Sequence, residues 1–181
     1  MRSLFLSPHS DDAVLFGAFT LMRKHPLVLT VTDGFIQANR GENVTADQRW
    51  LEDIEAMKGL GCPLVFGNIR DDIIDEWAVK DLLSRFYNFD TVYAPAVQGG
   101  NPQHDLIGRL VKERFKNVIQ YSTYAKGEWR TKGNKEIKPN NIHIDEIAIK
   151  NQALACYKSQ LSLPATKPHF DAAKGESEWF M

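Results

Sequence analysis

Cysteine is scarce in this chain: Cys62 and Cys156 stand far apart and form no C-x-x-C pair. That excludes a disulfide framework, favours a reducing compartment and makes the cytoplasm the expected location. Long hydrophobic runs are missing too. No segment approaches the ~20 apolar residues needed to span a bilayer. The first apolar run, Leu4-Phe5-Leu6, gives way to Ser7-Pro8, too soon for a signal peptide. Charge of one sign is not in excess, since 22 Lys and Arg face 23 Asp and Glu for a net charge of -1. With no like-charge block either, neither nucleic acid nor a membrane surface is an expected partner. Internal repeats and low-complexity tracts are also absent.

What is present is an ordinary globular composition, 43% hydrophobic and 25% charged over 181 residues, expected to fold as one domain, 1–181. Short apolar or β-branched runs read as strands at 3–6, 27–32, 64–66, 91–94 and 118–121. Helical patterns fill the gaps at 14–22, 45–60, 75–87, 103–115 and 145–161. Thr45 and Gln48 have capping-box spacing, and Gly61 closes that helix. In the helix at 75–87, Ile74, Trp77, Leu82, Leu83 and Phe86 are the expected core contacts. Residues 34–44 carry no periodicity and read as an active loop or cover. The Lys-rich stretch 127–141 reads as an exposed hairpin or loop. Strands alternating with helices predict an α/β, Rossmann-like three-layer sandwich with a mainly parallel sheet, ordered 3-2-1-4-5.

That order makes strands one and four neighbours at the point where the sheet changes direction, where ligands of such folds bind. The loop after strand one reads Pro8-His9-Ser10-Asp11-Asp12. The loop after strand four reads Asn101-Pro102-Gln103-His104-Asp105. Adjacent carboxylates repel each other unless a cation compensates. Two histidines and one carboxylate with an open position form a common catalytic zinc set. One aspartate would ligate, and its neighbour would face a water whose pKa the metal lowers to about 7. Taken alone, an Asp-Asp pair at a strand end is more often a cap and a solvated neighbour. Asp33, before Gly34, is a candidate substrate contact at the same rim, with a plain turn residue as the alternative.

PHSDDAVLFG resembles the (P/A)HPDDE motif of the LmbE/PIG-L family of zinc-dependent N-acetylglucosaminyl deacetylases. VTDG at 31–34 is similar to its strand-two end, and RWLE at 49–52 to its R-x-x-E helix. NPQH at 101–104 stands where the family has HPDH, and KNQALACYKSQ at 150–160 resembles its late K-x-x-A-L-x-x-(H/Y)-x-S-Q segment. The resemblance implies His9, Asp12 and His104 as ligands of Zn2+, or of another divalent metal such as Fe2+, with Asp11 as general base. It implies that Arg49 contacts substrate, although an exposed helix arginine is the plain alternative. The substrate it implies is a small amino sugar or glycoconjugate bearing an N-acetyl group. Three departures stand out: Ser10 for proline, Ala13 for glutamate, and Asn101 for a histidine that steadies the tetrahedral intermediate. An amide can donate a hydrogen bond there but carries no charge. If Asn101 takes no part, the donor would come from His143 or His169. The chain is also short for the family, so part of the substrate lid is expected to be missing. Among the aromatic residues, Trp129 and Trp179 are the candidates to stack on a sugar. A different N-acyl substrate, or a non-catalytic sugar- or nucleotide-binding domain, are the competing readings.

Overall fold

The computed structural model describes residues 2–34, 44–123, 125, 135–137, 142–174 and 178–181. Most of the two loop expectations, 34–44 and 127–141, and with them Trp129, lie outside the described residues. The elements run β1 Ser3–Ser7, α1 Asp12–Lys24, β2 Leu27–Thr32, α2 Ala46–Leu60, β3 Leu64–Ile69, α3 Glu76–Ser84 and β4 Thr91–Pro95. They continue with α4 Pro102–Arg114, β5 Val118–Tyr121, β6 Lys135–Ile137, α5 Ile144–Ala155, α6 Lys158–Leu161, α7 Lys167–Ala173 and β7 Glu178–Phe180.

The sheet order is β3-β2-β1-β4-β5-β7-β6. The five parallel strands have the expected order, and β7 and β6 add two antiparallel strands beyond β5. These short strands were not expected, because three residues such as Glu178-Trp179-Phe180 are too few for an alternation to register. Successive strand residues point to opposite faces. Phe5, Val28, Tyr93 and Tyr121 meet α1, α2, α5 and α7 in one core. Leu4, Leu6, Leu29, Val31, Val92 and Ala94 meet α3 and α4 in the other. Three layers result.

Two expectations need correction. Trp77 is 76% exposed and not a core contact. In α3 the buried stripe is Val79, Leu82 and Leu83; Trp77 lies two residues before Val79, about 200° around the helix and so on the far side. The helix expected at 145–161 is two helices, α5 and α6, parted at Tyr157, whose backbone (φ -82°, ψ 61°) leaves the helix. Neither proline nor glycine marks the break; the buried tyrosine hydroxyl is instead drawn to Ser10 and Asp53.

At the open edge, β3 carries one residue too many. Thr30 pairs with Phe66 but Thr32 with Ile69, so Val31 opposes Gly67 and Asn68 together. Asn68, within the bulge, takes the left-handed conformation, φ 56°, which asparagine tolerates better than most residues.

Candidate metal centre

The loops after β1 and β4 meet beyond the carboxyl ends of those strands, and each is fixed by its own hydrogen bonds. Pro8 is held by Thr32, whose backbone N–H and hydroxyl both donate to its carbonyl, at 3.0 and 2.9 Å. Asp12 opens α1, and its Oδ2 accepts the His9 backbone N–H at 2.8 Å. Across the crevice, Asn101 caps α4: its Oδ1 accepts from the backbone of Gln103 at 2.9 Å and of His104 at 3.4 Å. The next turn of α4 carries Gly108, where any side chain would collide with the Pro95 carbonyl. That close approach of helix to strand sets His104, one turn earlier, into the crevice, with only 1% of its surface exposed.

His9, Asp12 and His104 converge. His9 Nδ1 lies 2.9 Å from Asp12 Oδ2, His104 Nε2 lies 3.0 Å from the same oxygen, and the two ring nitrogens are 3.2 Å apart. A tetrahedral ion at about 2.1 Å from each ligand separates ligand atoms by roughly 3.4 Å, so the triangle is close to the required size. The donor set, two imidazoles and a carboxylate, suits a divalent cation. The tautomer agrees. Gln103 Nε2 donates to the Asp71 carbonyl, which turns its Oε1 toward His9 Nε2. That nitrogen must therefore carry the proton, which leaves the Nδ1 lone pair facing Asp12 and His104.

The electrostatics of the site call for positive charge. Burial opposes a charged His9, yet the Asp12 carboxylate, with help from Asp11 and Gln103, pushes the imidazole up to about 9. Burial likewise opposes a charged Asp12, and the two histidines overcome it, holding the carboxyl far below the usual range. Such a set exchanges protons for a metal ion.

Asp11 sits beside the triangle without joining it. It occupies the N-cap position of α1 but makes no capping bond, and its Oδ1 takes Arg49 Nη2 at 3.2 Å. Arg49 is not an exposed helix residue, for only 3% of it reaches solvent. Its Nε and Nη1 are buried without hydrogen-bond partners among the described residues, next to Gly34. Gly34 has φ 68°, and a side chain there would press on the guanidinium. Asp33 is half-buried, and its Oδ1 accepts the Asp71 N–H at 3.3 Å, tying β2 to the loop after β3.

His9, Asp11, Asp12, His104 and Arg49 are thus brought together, with Asn101 at the edge through its cap and Asp33 one loop away. Of the two reserve histidines, His143 caps α5 at the surface. His169, on α7, is lowered by burial and raised by Asp11, and so lies within reach of that carboxylate's field. Gln103 and Asp71 were missed. Position 103 lies inside the NPQH stretch, so its neighbourhood was signalled. Asp71 had no signal at all, because only the fold carries the loop after β3 to His9.

No protein of curated function matches the chain in sequence. Among solved structures, the conserved protein TT1542 from Thermus thermophilus superposes with a TM-score of 0.71 at 18% identity, covering 100% of this chain and 94% of that one. A triple mutant of a deacetylase of the teicoplanin biosynthetic pathway gives 0.70 at 22%, covering 94% and 88%. GalB, the 4-carboxy-2-hydroxymuconate hydratase from Pseudomonas putida, gives 0.65 at 19%, covering 95% and 84%. At these identities the likeness is one of fold. The sequence itself goes further, for residues 4–115 match the model of the GlcNAc-PI de-N-acetylases, and the chain belongs to that PIG-L family.

Proposed function

We propose that the chain is a metal-dependent hydrolase that removes the N-acetyl group from a small amino sugar or glycoconjugate. One observation carries this reading: a second carboxylate, Asp11, is held by Arg49 beside the His9–Asp12–His104 triangle and binds none of its ligand atoms. A divalent cation held by that triangle would supply Lewis acidity and bring a water's pKa down to about 7. Asp11 then takes the proton of the attacking water as the C–O bond forms, and returns it to the amine nitrogen as the C–N bond breaks. Arg49 holds the Asp11 carboxylate toward the crevice, and its Nε and Nη1, without partners among the described residues, are the donors we assign to a substrate oxygen. Asn101 presents its amide hydrogens, since its oxygen is committed to the helix cap.

The family membership and the deacetylase fold relatives support the same chemistry. One of them forms a complex with teicoplanin, a glycoconjugate of the kind expected here. Another is a zinc-inhibited form of teicoplanin deacetylase, which makes ferrous iron the comparator for zinc. The hydratase of the same fold is the competing outcome. The two free cysteines fit a cytoplasmic setting, and among the described residues no helix is long and apolar enough to cross a membrane.

Protein loaded with Zn2+ or Fe2+ should release acetate from N-acetylglucosamine derivatives. Asp11→Asn should keep its metal and lose about 10²-fold or more in turnover. Asn101→Asp keeps the cap but removes the amide donor, and should cost about 10²-fold with metal retained. Metal-loaded protein that frees no acetate from any N-acetyl sugar would overturn the reading.

A further inference from the structure

Tyr157 is fully buried where α5 breaks, and its hydroxyl has two neighbours. Its oxygen is 2.9 Å from the Ser10 carbonyl oxygen and 2.8 Å from Asp53 Oδ1. A phenol owns one proton, and a carbonyl can only accept. If the phenol gives its proton to Asp53, its oxygen and the Ser10 carbonyl face each other with lone pairs at 2.9 Å, in a site without exposed surface. If it gives the proton to Ser10, Asp53 must supply the proton for the other contact. The remaining carboxyl oxygen, Oδ2, is already served, for it accepts the Thr30 hydroxyl at 2.7 Å. Only the second arrangement makes every contact a hydrogen bond, all in one direction: Thr30 to Asp53, Asp53 to Tyr157, Tyr157 to the Ser10 carbonyl.

The charges around Asp53 agree. Arg49, on the same helix one turn earlier, gives its hydrogen bond to Asp11, and Asp11 itself repels a second anion. Thr30 on β2 and Tyr157 between α5 and α6 are uncharged. Burial pushes the Asp53 carboxyl up to about 7 against the hydrogen bonds of Thr30 and Tyr157 and the charge of Arg49.

We infer that Asp53 is a neutral carboxylic acid in the folded protein and that, through Tyr157, it clamps the Ser10 carbonyl. It is then a positioning residue for the turn that carries His9, Asp11 and Asp12. A neutral Asp53 also leaves the charge of Arg49 undivided for Asp11. The location of the proton stands on the hydrogen-bond geometry alone; the effect on metal binding rests on the ligand assignment proposed above.

The test separates the two. Infrared spectra of the metal-free protein below neutrality should show the carbonyl stretch of a protonated carboxylic acid, shifted by 13C-labelled aspartate and absent in Asp53→Asn. Asparagine reproduces the neutral acid, its amide donating to Tyr157 and its oxygen accepting from Thr30, so Zn2+ affinity should stay at the parent's level. Tyr157→Phe removes the clamp and should weaken Zn2+ binding by about 10–100-fold, as loss of a group that orients a metal site does. A parent without the aspartic acid band has an ionised Asp53 and overturns the inference, whatever the metal does. An Asp53→Asn chain that fails to fold, or that loses Zn2+ affinity as Tyr157→Phe does, overturns it as well.

Discussion

The two helical layers cover the same sheet with different materials. Beneath α3 and α4 the contact is aliphatic: Val79, Leu82, Leu83, Ile107, Leu110 and Val111 against Leu4, Leu6, Leu29, Val31, Val92 and Ala94. Beneath α1, α2 and α5, Arg49, Glu52, Asp53, Lys150 and Glu178 are buried among the apolar side chains. Burying a charge is costly unless it is hydrogen-bonded, and Glu52 and Glu178 are supplied with partners. Glu52 accepts from the backbone and hydroxyl of Ser159, at 2.8 and 2.6 Å, and the Glu178 carboxylate accepts the Thr20 hydroxyl at 2.7 Å. The dry layer contributes burial energy, about 25 cal/mol per Å² of apolar surface. The polar layer contributes orientation, because its bonds lead from α2 through Tyr157 to the metal turn.

The largest expected effect is at His104, which α4 of the dry layer delivers to the candidate ligand triangle. His104→Ala removes a ligand's share of the roughly 10–16 kcal/mol of a zinc site, so metal affinity should fall by at least about 10²-fold. Elemental analysis of protein purified without chelator reads this directly, and full occupancy in the variant would remove His104, and with it the dry layer, from the ligand set. Next, Leu110→Ala, at 1% exposure within the dry layer, should cost about 2–5 kcal/mol in denaturant unfolding and leave metal affinity unchanged. A loss of affinity there would blur the contrast between the layers.

The smallest effect is a dependence on pH. The Asp53 carboxyl is raised in the fold from 3.8 to about 7. Between those values the unfolded chain has released this proton and the folded one has kept it, so this group's contribution to stability falls as pH rises, then levels above about 7. Asp53→Asn has no such slope. Its stability relative to the parent should therefore climb across that window, by at most about 4 kcal/mol. A constant difference from pH 4 to 8, checked by urea unfolding at each pH, would place Asp53 among ordinary ionised carboxylates.

Much of the candidate site was legible because it is written in two short stretches. His9, Asp11 and Asp12 follow one strand and His104 another, and the alternation of strands and helices along the chain is enough to make those strands neighbours. Arg49 was legible as a residue but not as a contact: nothing in R-W-L-E says that its guanidinium is buried against Asp11. Asp53 and Tyr157 stand 104 residues apart and meet only through packing. The break at Tyr157 was illegible for the same reason, since its local sequence is helical and a distant carbonyl and carboxyl decide otherwise. Trp77 misled because size and hydrophobicity suggested burial, whereas its angular position on α3 left it outside.

One end of the sheet is extended by the short antiparallel strands β7 and β6, and among the described residues the other ends at β3. A long regular edge of this kind is a template on which another extended chain can add itself, the first step toward aggregation. Val65, 39% exposed on that strand, would favour such an encounter. The bulge at Gly67 and Asn68 interrupts the regular spacing of donors and acceptors that an incoming strand would have to match. The bulge thus works against edge-to-edge pairing through an asparagine that takes no part in the core or the candidate site, and a β-branched residue at position 68, averse to positive φ, would tend to straighten the edge.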